Sequence, residues 1–155
     1  MNAISATLSA QTPRAWSAIF VGGLIAGTLD LTAAFILYGP AVPRGIAAGL
    51  LGPRAFQAGA ATYALGIVLH FFIAVSAAAV YYAASRKLEF LTEHFLVCGL
   101  FYGIAVYLVM NLIVLPLSAL HARDPLSLVG TITGLLIHMS CVGLPISFIA
   151  RRYSK

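Results

Sequence analysis

Four apolar runs, residues 15–38, 62–85, 95–120 and 126–150, constrain what this chain can fold into more than any other feature. Each exceeds the roughly 20 residues that an α-helix needs to cross a hydrocarbon core about 30 Å thick. Lipid offers no water to an unpaired backbone group, so such a segment must satisfy its own N–H and C=O groups as a helix. The runs predict an all-α integral membrane four-helix bundle, a single membrane domain over 1–155, with spans at 13–38, 62–85, 94–120 and 125–150. Composition agrees. Of the residues 61% are hydrophobic and only 8% charged, against about 25% charged in a soluble domain. The net charge of +5 comes from bases scattered between the runs, not gathered on one face. A nucleic acid therefore has nothing to track, and the expected partner is the lipid bilayer. Cys98 and Cys141 lie inside apolar runs without metal-ligand spacing, so neither a disulfide framework nor a zinc motif is indicated.

The breaks between runs are chemically sharp. Thr12 and Pro13 before the first run, and Asp124 and Pro125 before the fourth, each pair a capping side chain with a first-turn proline, which predicts helix starts there. Arg86, Lys87, Glu89 and Glu93 separate the second and third runs, and His121, Arg123 and Asp124 the third and fourth. Asp30 alone among the charged residues falls inside a run. The first run is too long for the apolar core of a cleaved signal peptide and is preceded by a single base, Arg14, so it is expected to stay as a span. Arg14, Arg86, Lys87, Arg151, Arg152 and Lys155 flank one side of the spans, and Arg44, Arg54 and Arg123 the other. The positive-inside rule then places both termini in the cytoplasm.

The connection 39–61 is rich in Gly and Pro and has no acid. Pro43 is placed to open a short interfacial or re-entrant helix through Ile46, Leu50 and Leu51, which Gly52 and Pro53 would end. Antiparallel helices need only about 2 to 8 connecting residues, so this length calls for a role. Ile46, Leu50, Leu51 and Phe56 give it an apolar surface, and Arg44 and Arg54 can stay among headgroups. The expectation is an outer lid over a polar interior; an interfacial anchor is the alternative.

Within lipid, helices associate through close backbone approach at small residues. Gly23 and Gly27, Gly99 and Gly103, and Gly130 and Gly134 have GxxxG spacing, while the second run uses Gly66, Ala74 and Ala78. Three- and four-residue steps extend these stripes to polar members. Asp30 and Ala34 follow Gly27; His70 lies between Gly66 and Ala74; Tyr107 and Asn111 follow Gly103; His138 and Cys141 follow Gly134. At 1.5 Å per residue, Asp30 and His70 lie about 12 Å from the outer ends of their spans, Asn111 about 10 to 13 Å and His138 about 18 Å. Asp30, His70, Asn111, His138 and Tyr107 are therefore the candidate ligand or proton site.

A lone carboxylate at a helix centre costs about 2.5 to 3.5 kcal/mol on insertion scales, so Asp30 needs compensation. A hydrogen bond to a backbone carbonyl, a pair with His70 or His138, or a bound cation would each supply it. Imidazole titrates near neutrality, which suits the cluster to small-solute binding or proton movement. Plain interhelical hydrogen bonding is the structural alternative for His70, His138 and Asn111. Asp30, His70 and His138 match a two-His, one-carboxylate metal set in composition only, and without HxxxH, HExxH or CxxC no metal site is assigned. His70 and His138 could also ligate haem as an axial pair, although glycine-rich faces predict packing too tight for it. No GxSxG elbow is present; no catalytic residue or cofactor is assigned, and the balance leans away from an enzyme. The competing reading is a non-catalytic subunit or assembly factor, or a homo-oligomer, whose GxxxG faces meet a membrane partner.

GGLIAGTLD at 22–30, GLLGPRAFQAG at 49–59, LGIVLHFFIA at 65–74, YGIAVYLVMN at 102–111 and HMSCVGLP at 138–145 cover much of the chain. In these segments it resembles a family of small uncharacterised four-span bacterial inner-membrane proteins. The resemblance implies a four-span build in a bacterial inner membrane, and brings no ligand, activity or catalytic residue with it.

Overall fold

The computed structural model describes residues 3–121 and 127–154, residues 3–13 by their backbone alone. Its helices are α1 (Ala3–Tyr38), α2 (Val42–Leu51), α3 (Ala60–Ser85), α4 (Phe90–Glu93), α5 (Phe95–Leu117) and α6 (Leu128–Ser154), and no strand occurs among the described residues. Over Arg14–Tyr38, Ala60–Ser85, Phe95–Leu117 and Leu128–Ser154 four of them are long and apolar enough to cross a membrane. The chain is a multi-pass helical membrane protein. Phe72, Phe101 and Ile36, 67–79% exposed, would be liabilities in water and are ordinary against acyl chains.

One helix start differs from expectation, and a second falls outside the described residues. α1 begins at Ala3 and runs through Thr12 and Pro13. Proline's fixed φ is helical, so its missing N–H costs one backbone bond without ending the helix. Asp124 and Pro125 lie outside the described residues. The cap that α6 does show is Ser127, whose extended backbone lets its Oγ accept the N–H of Gly130 at 2.9 Å.

α1 packs along α3 on one flank and along α6 on the other, and α5 packs on α6. Tyr102 closes the ring by donating its hydroxyl to the Ala77 carbonyl at 2.7 Å, with its ring edge-on to Tyr81, centroids 4.9 Å apart. Small residues set the spacing. A Cβ on Gly23 would lie 2.6 Å from the Cα of Val75, and one on Gly143 would lie 2.7 Å from the backbone N of Gly103. The buried core, Ala18, Ala78, Tyr81, Tyr82, Val142, Ile146 and Ala150 among its members, sits toward the end of the bundle that carries the termini.

The opposite end is built differently. A Cβ on Gly66 would collide with the Pro43 carbonyl, so α2 lies directly on α3. Ala47, Ala48 and Ala55 are buried in that contact, and the Ala119 N–H donates to the Gly49 carbonyl at 2.8 Å, tying α2 to the end of α5. Gly52 ends α2 at φ +75, a left-handed conformation that glycine adopts without strain.

Candidate functional site

A polar side chain in a lipid-embedded helix has an inexpensive local solution if it carries a hydroxyl, which can donate to a carbonyl one turn back. Thr28 donates to Leu24 at 2.8 Å, Thr32 to Thr28 at 2.7 Å, Ser76 to Phe72 at 2.8 Å and Ser140 to Leu136 at 2.6 Å. An ionised carboxylate cannot do this, because it only accepts and the helix N–H groups are already used. Among the described residues no hydrogen bond or ion pair reaches the Asp30 side chain. It lines a cavity of about 690 Å³ between α1, α5 and α6. That volume falls within the roughly 300–1,000 Å³ of small-molecule sites.

Three of the other predicted residues share this cavity: Tyr107 and Asn111 from α5 and His138 from α6. His138 Nδ1 lies 2.9 Å from the Gly134 carbonyl, and a carbonyl can only accept, so the proton belongs on Nδ1. Nε2 of the neutral ring then keeps its lone pair. Asn111 spends one N–H on the Tyr107 carbonyl at 2.9 Å and keeps its amide oxygen as an acceptor. The Tyr107 ring stands edge-on to His138, 5.4 Å between centroids, in space that a side chain at Gly134 would occupy.

The backbone beneath two of these residues is widened. Asn111 lies in the π-turn Met110–Val114, and His138 opens the π-turn His138–Gly143. Leu115 bonds to the Met110 carbonyl and Leu144 to that of Met139, each five residues back. Each turn precedes a proline, Pro116 or Pro145, whose ring would press on the carbonyl four residues earlier, at Leu112 or Cys141. Widening the turn is the relief. Such π-bulges recur at functional sites, since they re-aim side chains and loosen backbone carbonyls.

His70 is not among the cavity's lining residues. Its Nε2–H donates to the Gly27 carbonyl at 2.8 Å, joining α3 to α1 three residues before Asp30. The reason is topological: the cavity opens between α1, α5 and α6, while α3 lies on the other flank of α1. Asp30, His70 and His138 thus do not converge, and no group of three or more His, Cys, Asp or Glu side chains that could hold a metal ion occurs among the described residues. The lid expectation also needs correction. No residue of 39–61 lines the cavity; α2 sits on α3 and the end of α5, with Leu50 61% and Leu51 51% exposed. Gly66 and the buried alanines of α2 make that docking face the better fit for the connection.

Tyr38, Ser127 and Thr131 also line the cavity and were not singled out from the sequence. The signal was present in continued stripes: Asp30, Ala34 and Tyr38 at four-residue steps, and Ser127, Thr131, Gly134 and His138 at steps of three and four.

No family model matches this chain, and neither do the curated proteins or solved structures with which it was compared.

Proposed function

We propose that this chain is an integral membrane protein that binds a small polar solute in the cavity between α1, α5 and α6, with Asp30 and His138 as the groups able to exchange protons with it. The observation carrying this reading is the Asp30 side chain, which has no hydrogen-bonding or ionic partner among the described residues and lines a cavity of solute size. Tyr107 and Asn111 supply orienting polar atoms, and the apolar wall at Leu112 and Ile137 excludes water from part of the site. His70 is assigned to helix packing through its bond to Gly27. The basic residues at 86, 87, 151, 152 and 155 support a cytoplasmic location for both termini, and the family resemblance supports a bacterial inner membrane.

The test is a thermal-shift panel of small amines, alcohols and carboxylates on the detergent-purified protein. A ligand at 100 times its Kd stabilises a site by about 2.7 kcal/mol, which such a scan resolves. At least one class is expected to raise the Tm of the wild type and to lose that effect in Ala34→Phe, which fills the cavity. A panel that shifts nothing, or shifts that survive Ala34→Phe unchanged, would return the cluster to a packing role and favour the subunit or assembly-factor reading.

A further inference from the structure

Resting on that reading, we propose that the occupant is an organic ammonium with an apolar body, which reaches the cavity from the lipid between α1 and α6.

Charge is the first argument. Among the described residues lining the cavity Asp30 is the one acid, and no Lys or Arg lies beside it. An ionised Asp30 with no counter-charge among the described lining residues would select a cation, and in surroundings of low dielectric a charge-assisted hydrogen bond is the strong kind. Donor and acceptor arithmetic is the second. The Asp30 carboxylate, the Asn111 amide oxygen and His138 Nε2 are acceptors, while His138 Nδ1–H is taken by the Gly134 carbonyl and one of the two Asn111 N–H groups by the Tyr107 carbonyl. An ammonium brings three donors and no acceptor. The rings of Tyr38 and Tyr107 add faces that attract a cation.

Access is the third argument, and it explains the apolar body. The half of α6 from Leu128 to Ile137 has no buried residue, with Leu128 and Val129 76% and 75% exposed, and Tyr38 at the end of α1 is 66% exposed. Among the described residues a Cβ on Gly130 would meet only the Ser127 hydroxyl. With α2 committed to α3, this flank opens toward acyl chains, so a molecule already dissolved in lipid meets the cavity wall first. Leu112 and Ile137 then receive its apolar part.

Two sources share this chemistry, a free amphiphilic amine and the ethanolamine headgroup of a phospholipid. The experiment uses three probes with one apolar body, 3-phenylpropylamine, 3-phenylpropanol and 3-phenylpropionate, titrated calorimetrically into the full chain in phosphatidylcholine nanodiscs. The amine is expected to bind at least tenfold more tightly than either partner, about 1.4 kcal/mol. Asp30→Asn should erase that preference. Ala34→Phe should weaken all binding, and keeps the proposal testable if Asp30→Asn does not fold. Adding phosphatidylethanolamine to the discs separates the sources: displacement of the amine assigns the site to a headgroup, and its persistence to a free amine. Alcohol or carboxylate binding as tightly as the amine, still sensitive to Ala34→Phe, overturns the ammonium assignment and leaves the solute site standing. Binding by none of the three overturns both.

Discussion

Replacing Gly143 by alanine tests the packing logic of the bundle where α5 and α6 meet. The added methyl would lie 2.7 Å from the backbone N and 2.9 Å from the Cα of Gly103, and would also collide with the Gly99 carbonyl. Ordinary contact begins at about 3.5 Å, so α5 must retreat from α6 by at least roughly 0.6 to 0.8 Å at Gly103 and by more at the Gly99 carbonyl, and a gap of that size forfeits a quarter to a half or more of each dispersion contact along the seam. No flexible side chain can yield instead, because the atoms met are backbone. Overpacking of this kind costs about 1 to 3 kcal/mol, and the helix propensity gained by removing a glycine returns up to about 1 kcal/mol. Because the Gly99 carbonyl is struck as well, the upper half of that cost applies, and the net expectation is about 1 to 2 kcal/mol of destabilisation. At roughly 2 to 4 °C per kcal/mol for a chain of this size, the Tm should fall by about 2 to 8 °C, measured by size-exclusion chromatography of detergent-solubilised protein after heating. Gly22→Ala is the matched control. Its Cβ would make only contacts of 3.5 to 3.9 Å with Ile149 and Ala78, so propensity should dominate and the Tm should hold or rise. A Gly143→Ala protein as stable as wild type, or one no less stable than Gly22→Ala, would refute the claim that α5 and α6 meet backbone to backbone.

Other outcomes follow from single contacts. Ser127→Ala removes the cap on Gly130 and should cost about 1 kcal/mol, seen as a Tm drop of a few degrees. His70→Leu should lower the Tm through the lost bond to Gly27, by about 0.5 to 1.5 kcal/mol, while leaving ligand titrations unchanged. A cysteine placed at Glu89, exposed between α3 and α5, should react with a membrane-impermeant maleimide only in inside-out vesicles if the termini are cytoplasmic. Protein from haem-supplied cells should show no Soret band, because a ligating His70 would have to abandon Gly27.

The spans were legible because lipid leaves so little choice: twenty apolar residues in a row must be helical. The short helix between the first two spans was legible from Pro43 and Gly52, whose backbone preferences act locally. What the sequence hides is azimuth, meaning which neighbour each face meets. Gly66 and Gly27 look alike as small residues on a stripe, yet one receives the Pro43 carbonyl and the other the Phe71 ring. His70 and His138 look alike as polar members of such stripes, yet one turns to Gly27 across the α1–α3 seam and the other lines the cavity. Those differences arise from the pairing of whole helices, which periodicity within one helix cannot encode. The π-turns had a local cause, Pro116 and Pro145, but a proline in a membrane helix can be absorbed in several ways, so the residue alone does not name the outcome.

The bond from Ala119 to Gly49 makes the bundle mechanically lopsided. It rivets α2 to the end of α5, with α2 in turn seated on α3, whereas among the described residues the Leu128–Ile137 stretch of α6 has no comparable fastening and meets the rest of its own helix at the π-turn. A loosened turn is where bending costs least, so the softest direction of this half-helix is a bend about His138. The residue at the pivot is also one that lines the cavity, so a bend there would change the aperture and the aim of the imidazole together.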